Sequence, residues 1–206
     1  MLKVLVVTDI HNDFDAARSA YHQVSPDLVL DGGDHSELAN IFESTPHFHI
    51  SGNHEPLYSF LEPGSFPLPN KINAGQYIFF AKGEDKIRFS GIDGNYSGRK
   101  QWGSVGGREL WGLRRFKPGE LDVLMTHESP LGLDDKIMRE SIAPRILEEI
   151  YRIKPKYVFS GHVGRPEIQE REGITFVTLD SMSKGYGILS IDGANFSFSP
   201  VKSIFR

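Results

Sequence analysis

Short apolar runs alternate with polar turns along the chain, and this alternation predicts a mixed α/β fold. Residues 2–7 are almost wholly apolar and rich in valine, which is typical of a strand covered on both faces. Residues 13–23 are predicted to follow as a short helix. Further strands are predicted at residues 28–30, 48–50, 77–80, 87–92, 123–125 and 157–159, with short helices at 37–42 and 55–61.

The second half of the chain adds a long helix and a strand-rich tail. Residues 62–70 contain three prolines and are predicted to be irregular. Residues 135–153 carry isoleucines at helical spacing and predict a helix, which Pro144 is expected to break or restart. Residues 175–179, 185–191 and 195–201 are expected to form antiparallel strands, with a turn at Asp192-Gly193.

Composition and length narrow the class of protein. The chain has 206 residues, a net charge of −4 and no cysteine, so we expect one domain over residues 1–206 and no thiolate chemistry. The first apolar run is too short for a signal peptide or a membrane span. We therefore expect a cytoplasmic protein with no membrane partner.

Polar side chains follow five of the apolar runs. They are Asp9 and His11, then Asp31 and Asp34, then Asn53 and His54, and finally His127 and His162. Because ligands of open α/β sheets bind beyond the carboxyl ends of the strands, we expect these loops to share one crevice. Carboxylate, amide and imidazole donors together suit Mn, Fe, Co, Ni or Zn better than calcium.

The motifs at these positions are DIH at 9–11, GGD at 32–34, GNHE at 52–55, THESP at 126–130 and GH at 161–162. Together they resemble the calcineurin-like metallophosphoesterase superfamily, and the match runs from Asp9 to His162. The resemblance implies a four-layer αββα sandwich of two mixed β-sheets flanked by helices.

The resemblance also implies a phosphoesterase with two divalent metal ions, manganese favoured. Asp9, His11 and Asp34 would hold the first ion, while Asn53, His127 and His162 would hold the second, with Asp34 bridging. Two such ions polarise phosphoryl oxygens and lower the pKa of bound water, which makes hydroxide available for attack on phosphorus. His54 would stabilise the transition state or protonate the leaving oxygen.

The chain departs from the family pattern after His162. Members of the family usually carry a second histidine two residues later as a ligand of the first metal, and this chain has Gly164 there. We expect the first metal to bind weakly, with water in the vacant position rather than His35, which we expect to be solvated near the rim. Arg165 is open to two interpretations, a phosphate ligand or a surface residue.

A basic, aromatic segment at residues 96–117 stands out in an acidic chain. Its glycines predict a loop, and Arg99 and Lys100 are candidate ligands of a small phosphoester substrate such as a nucleotide. A solubilising loop is the alternative.

A nuclease is not favoured because the chain is acidic overall, and a non-catalytic scaffold like the retromer subunit of this family is the remaining alternative. His22, His47 and His49 are interpreted as surface or strand residues.

Overall fold

Two mixed β-sheets form the centre of the structure, a computed structural model that describes residues 1–35, 41–42, 45–54, 70–96, 104–131, 133, 135–162, 166–179 and 181–202. The described helices are α1 (Phe14–Val24), α2 (Gly107–Leu113), α3 (Asp135–Glu140) and α4 (Ala143–Ile153). The described strands are β1 (Leu2–Val7), β2 (Leu28–Asp31), β3 (His47–His49), β4 (Ile78–Lys82), β5 (Asp85–Ile92), β6 (Val123–Glu128), β7 (Tyr157–Gly161), β8 (Glu167–Arg171), β9 (Ile174–Thr178), β10 (Gly185–Asp192) and β11 (Asn195–Lys202).

The first sheet has the order β11-β10-β1-β2-β3, and the second has the order β4-β5-β6-β7-β9-β8. Each sheet contains a group of parallel strands, β1-β2-β3 in the first and β5-β6-β7-β9 in the second. In the first sheet the antiparallel strands β10 and β11 lie beside β1, and β3 forms the other edge. In the second sheet an antiparallel strand lies at each edge, β4 beside β5 and β8 beside β9. Because parallel strands end on the same side, each sheet presents several strand ends along one edge.

Alternate residues of the central strands enter different apolar layers, as the period of a strand requires. In β1, Leu2, Val4 and Val6 face the second sheet, whereas Leu5 and Val7 pack with α1. In β6, Val123 and Met125 contact the core between the sheets, and Leu124 packs with α2 and α4. The layers are therefore helix, sheet, sheet and helix, which confirms the four-layer αββα prediction.

The predicted long helix is divided where its proline predicted a break. α3 ends at Glu140 and α4 begins at Ala143, so Pro144 occupies the first turn of α4, where its missing N–H is tolerated. Ile146, Ile150 and Ile153 form the buried stripe of α4 against the second sheet. No helix among the described residues is long and apolar enough to span a membrane.

Three predictions about secondary structure need correction. β9 does not join β10 and β11 but pairs parallel with β7 in the other sheet. β8 was not predicted, because its residues are polar and mostly exposed. Residues 107–113 form helix α2 instead of a loop, since Leu110 and Leu113 bury themselves against the second sheet. The helices predicted near residues 37–42 and 55–61 lie largely or wholly outside the described residues.

Candidate metal centre

The polar residues that follow the parallel strands meet where the carboxyl-terminal ends of these strands come together. One ligand atom from each of four residues lies within 4.8 Å of the other three. These residues are Asp9, Asp34, His127 and His162. They come from the ends of β1, β2, β6 and β7, so the convergence expected from the strand pattern is present.

Asp34 lies at the centre of this group on a tightly held turn. Gly33 has a φ of 97° and Asp34 a φ of 59°, and the Asp31 Oδ1 atom accepts a hydrogen bond from the Gly33 N–H at 3.0 Å. The backbone N–H of His11 donates to the Asp34 carbonyl at 2.7 Å, which ties the end of β1 to the end of β2. Left-handed backbone at a non-glycine residue is costly and is commonly found at functional sites.

Asp9 links the ends of β1 and β7. Its Oδ2 atom accepts hydrogen bonds from Thr8 Oγ1 at 2.6 Å and from the His162 N–H at 2.9 Å. Asp9 is buried, and His162 has a left-handed φ of 71°. These bonds orient the Asp9 carboxylate and place the His162 backbone beside it.

His127 is fully buried and its two ring nitrogens have different environments. Nδ1 donates to the Gly32 carbonyl at 2.9 Å, while Nε2 lies 3.0 Å from Asn53 Oδ1 and 3.4 Å from Asp34 Oδ2. An imidazole whose Nδ1–H is held by a carbonyl presents Nε2 as its metal-binding atom. The second metal's predicted ligands Asn53 and His127 are therefore in contact with each other.

The electrostatics of the group favour a cation. Burial disfavours protonation of His127, but the Asp34 carboxylate, with Asp9 behind it, outweighs burial and raises the His127 pKa to about 9. Burial disfavours ionisation of Asp34, yet His127 and the His54 N–H hold the Asp34 pKa below its ordinary value. Burial and His127 lower the pKa of His162. A site that stabilises positive charge on a buried imidazole has the negative potential that a divalent ion requires.

His11 and His54 lie at the solvent side of the group. His11 Nε2 is 3.9 Å from Asp34 Oδ2, and 45% of its side chain is exposed. The His54 N–H donates to Asp34 Oδ1 at 2.8 Å, and the His54 ring meets the His11 ring edge-on with centroids 5.7 Å apart. His54 is exposed, so its imidazole is accessible to a bound molecule.

Two glycines leave the space that this donor set needs. A Cβ atom at Gly52 would overlap Asp34 Oδ1 and His127 Cε1. A Cβ atom at Gly161 would overlap Thr8 Oγ1 and Asp9 Oδ2. With two carboxylates and two imidazoles converging beside them, the described residues fit a divalent metal of the borderline class.

Asp93 and Glu128 also support the site, and the sequence analysis missed both. Asp93 Oδ1 accepts a hydrogen bond from the Ser51 N–H at 2.7 Å, which holds the loop leading to Asn53. Glu128 Oε2 accepts from the Tyr96 N–H, and Glu128 Oε1 lies 4.0 Å from His162 Nε2. Asp93 follows the apolar run of β5, so the signal that identified the other strand ends would have found it.

His35 was expected to be solvated near the rim, and this is wrong. Its side chain is 1% exposed, with Nδ1 3.4 Å from Asp31 Oδ2 and its ring packed edge-on against His49. His49 is a strand residue with 0% exposure, and His47 is partly buried beside Asp31.

Arg99, Lys100, Gly164 and Arg165 lie outside the described residues, so their predicted roles remain predictions.

The αββα fold and the cluster of metal-binding side chains are those of a metallophosphoesterase, and comparison with known proteins agrees with this class. A sequence model of the family described as calcineurin-like phosphoesterase matches residues 2–166. The chain belongs to this family, whose members depend on metal ions. A search of curated proteins found no significant match.

Solved structures show the same fold at low sequence identity. The protein TT1561 of Thermus thermophilus has a TM-score of 0.65 and 13% identity, with 96% of this chain and 98% of that chain covered. GAP50, the anchor in the inner membrane complex of Plasmodium, has a TM-score of 0.64 and 10% identity, with 98% and 85% covered. A predicted phosphoesterase of Streptococcus pneumoniae has a TM-score of 0.51 and 14% identity, with 98% and 89% covered.

Proposed function

We propose that the chain is a metal-dependent phosphoesterase that hydrolyses a small phosphodiester or phosphomonoester at a dinuclear centre. The observation that carries this proposal is the convergence of Asp9, Asp34, His127 and His162 to within 4.8 Å. Membership of the calcineurin-like phosphoesterase family supports the same class of reaction.

The residues divide into two sets around Asp34. Asp9, His11 and Asp34 would hold one divalent ion, and Asn53, His127 and His162 would hold the other, with Asp34 shared. Divalent ions bound there would polarise the phosphoryl oxygens and lower the pKa of water. The first set includes the half-exposed His11, whereas His127 in the second set is fully buried, which supports a weaker first site.

His54 acts in this proposal as the proton donor to the leaving oxygen, or as a hydrogen-bond donor to the transition state. The hydrogen bond from its backbone to Asp34 fixes its position relative to the metal ligands, while its imidazole faces solvent. Histidine is the side chain that most often serves as a general acid or base in enzymes.

A non-catalytic scaffold is the alternative, and the described surface gives it little support. A scaffold should carry a contiguous exposed apolar patch. The large exposed apolar residues among those described are Met1, Tyr77, Phe79, Trp111 and Ile168. Tyr77 and Phe79 lie two residues apart at the start of β4, whereas Ile168 lies on β8 at the opposite edge of the second sheet.

The proposal is tested by assaying a panel of phosphomonoesters and phosphodiesters, nucleotides included, with Mn²⁺, Ni²⁺, Co²⁺ or Zn²⁺. His54→Ala should lower kcat by about 10²- to 10⁴-fold, because it removes a general acid while the metal ligands remain. His22→Ala, a change at an exposed histidine of α1, is the matched control and should leave kcat unchanged. Hydrolysis at the same rate in His54→Ala and the parent chain would refute the assigned role, and no hydrolysis of any ester would refute the proposed activity.

A further inference from the structure

A second cluster of metal-binding side chains lies on the outer face of the first sheet, behind the turn that carries Asp34. Its members are Asp31 at the end of β2, His35 just after it, and His47 and His49 on β3. Asp31 is paired with His49 in the register of β2 and β3. Because side chains alternate along a strand, His47 and His49 share a face, whereas Phe48 packs into the core between the sheets.

These side chains are buried to an extent that is unusual for their chemistry. Asp31 and His49 are 0% exposed, and His35 is 1% exposed. Neither ring nitrogen of His49 has a hydrogen-bond partner within the part of the chain that the structure describes, although both are buried. Buried polar atoms are nearly always paired, and an unpaired one calls for a specific explanation such as a bound ion.

Asp31 lies within ion-pair distance of two of the imidazoles, and the rings of the three histidines are close together. Asp31 Oδ2 lies 3.4 Å from His35 Nδ1 and 3.3 Å from His47 Nε2. The ring centroids of His35 and His49 are 4.6 Å apart, and those of His47 and His49 are 5.8 Å apart. With bonds of about 2.0–2.1 Å, neighbouring donors of a tetrahedral ion lie about 3.3–3.4 Å apart, so the two Asp31 distances are short enough for a shared ion, whereas the histidine nitrogens must still turn toward it.

We propose that Asp31, His47 and His49, with His35, form a further site for one divalent ion of the borderline class, such as Zn²⁺ or Co²⁺. Among the described residues, the ligand atoms that already lie within 4.8 Å of one another are those of Asp9, Asp34, His127 and His162. The donor atoms of the second cluster are farther apart, so an imidazole ring must rotate for them to share an ion. His47 has 16% of its side chain exposed, so the cluster reaches solvent at this residue. The site does not depend on the proposed phosphoesterase activity.

The test uses Co²⁺ as the probe, because tetrahedral cobalt absorbs visible light far more strongly than octahedral cobalt. Asp9→Asn combined with His162→Ala first weakens the centre at the carboxyl edge. In that background the folded protein should still bind one equivalent of Co²⁺ with the tetrahedral spectrum. Adding His47→Ala should remove this equivalent and its spectrum, whereas adding His22→Ala should leave both unchanged.

A second variant and a second measurement cover the case in which His47→Ala fails to fold. Asp31→Asn keeps the size of the side chain and an acceptor for the Gly33 N–H while removing the charge, and it should also lose the tetrahedral equivalent. Crystals of the full chain grown with Zn²⁺ should show anomalous density between Asp31 and the three imidazoles. Absence of that density, or a tetrahedral Co²⁺ spectrum that survives both Asp31→Asn and His47→Ala, would overturn the proposal.

Discussion

Gly161→Ala should weaken the metal centre, although it replaces none of the proposed metal ligands. Gly161 ends β7 beside Thr8 and Asp9, and an added methyl group would overlap Thr8 Oγ1 and Asp9 Oδ2. The Asp9 carboxylate would have to move away from the position in which it accepts hydrogen bonds from Thr8 at 2.6 Å and from the His162 N–H at 2.9 Å. One methyl group therefore disturbs a ligand of each proposed metal ion.

The size of the effect follows from what the methyl group displaces. Losing a group that orients a metal ligand commonly costs about 10- to 100-fold in metal affinity. That range corresponds to about 1.4–2.8 kcal/mol of binding free energy. Overpacking a buried position should separately cost about 1–3 kcal/mol in the free energy of unfolding.

The two effects are separated by calorimetric titration with Mn²⁺ and by urea denaturation of the metal-free protein. Gly107→Ala is the matched control, since a Cβ atom at this position of α2 meets no other atom of the described residues within 4 Å. It should leave the Mn²⁺ affinity unchanged. If Gly161→Ala bound Mn²⁺ within about twofold of the parent chain, the assignment of Asp9 as an oriented ligand would be wrong.

Two further predictions concern metal removal and acid stability. Dialysis against a chelator should remove one ion readily and the other slowly, since Gly164 replaces a usual ligand of the first site; two ions retained equally would contradict this. Burial opposes ionisation of Asp122, but hydrogen bonds from Arg88 and Lys156 outweigh burial and lower the Asp122 pKa. The ionised Asp122 therefore stabilises the folded state above pH 3.8, and this stabilisation is lost as the pH falls below that value. Asp122→Asn should therefore lower the free energy of unfolding more at about pH 7 than at about pH 3 in urea denaturation, and an equal loss at both would refute the charge argument.

The sequence predicted the central strands because their signal is local. Residues 123–125 and 157–159 are apolar throughout and residues 2–7 are apolar except for Lys3, as is typical of strands covered on both faces. β8 has no such signal, since an edge strand buries little and its sequence Glu-Ile-Gln-Glu-Arg is mostly polar. α2 was missed because Leu110 and Leu113 are stabilised by packing that outweighs the low helix propensity of its glycines.

The candidate site was predictable to the extent that each ligand follows an apolar run. Asp9, Asp34, His127 and His162 were all identified in this way, and the structure brings them together. The same rule applied to β5 would have identified Asp93. His35 was misjudged because its neighbour Asp34 points to the site, whereas the direction of the next side chain depends on how the turn packs against β3.

The family, the layered α/β architecture and the polar residues at the strand ends could all be inferred from the sequence alone. Strand periodicity and short motifs are local patterns of neighbouring residues, so they can be recognised without a structure. The pairing of β9 with β7, and the burial of Asp31, His35 and His49 in one cluster, became evident only from the three-dimensional structure. Those features arise from contacts between segments that are distant in the chain, and the burial of a residue depends on which of these segments pack against it.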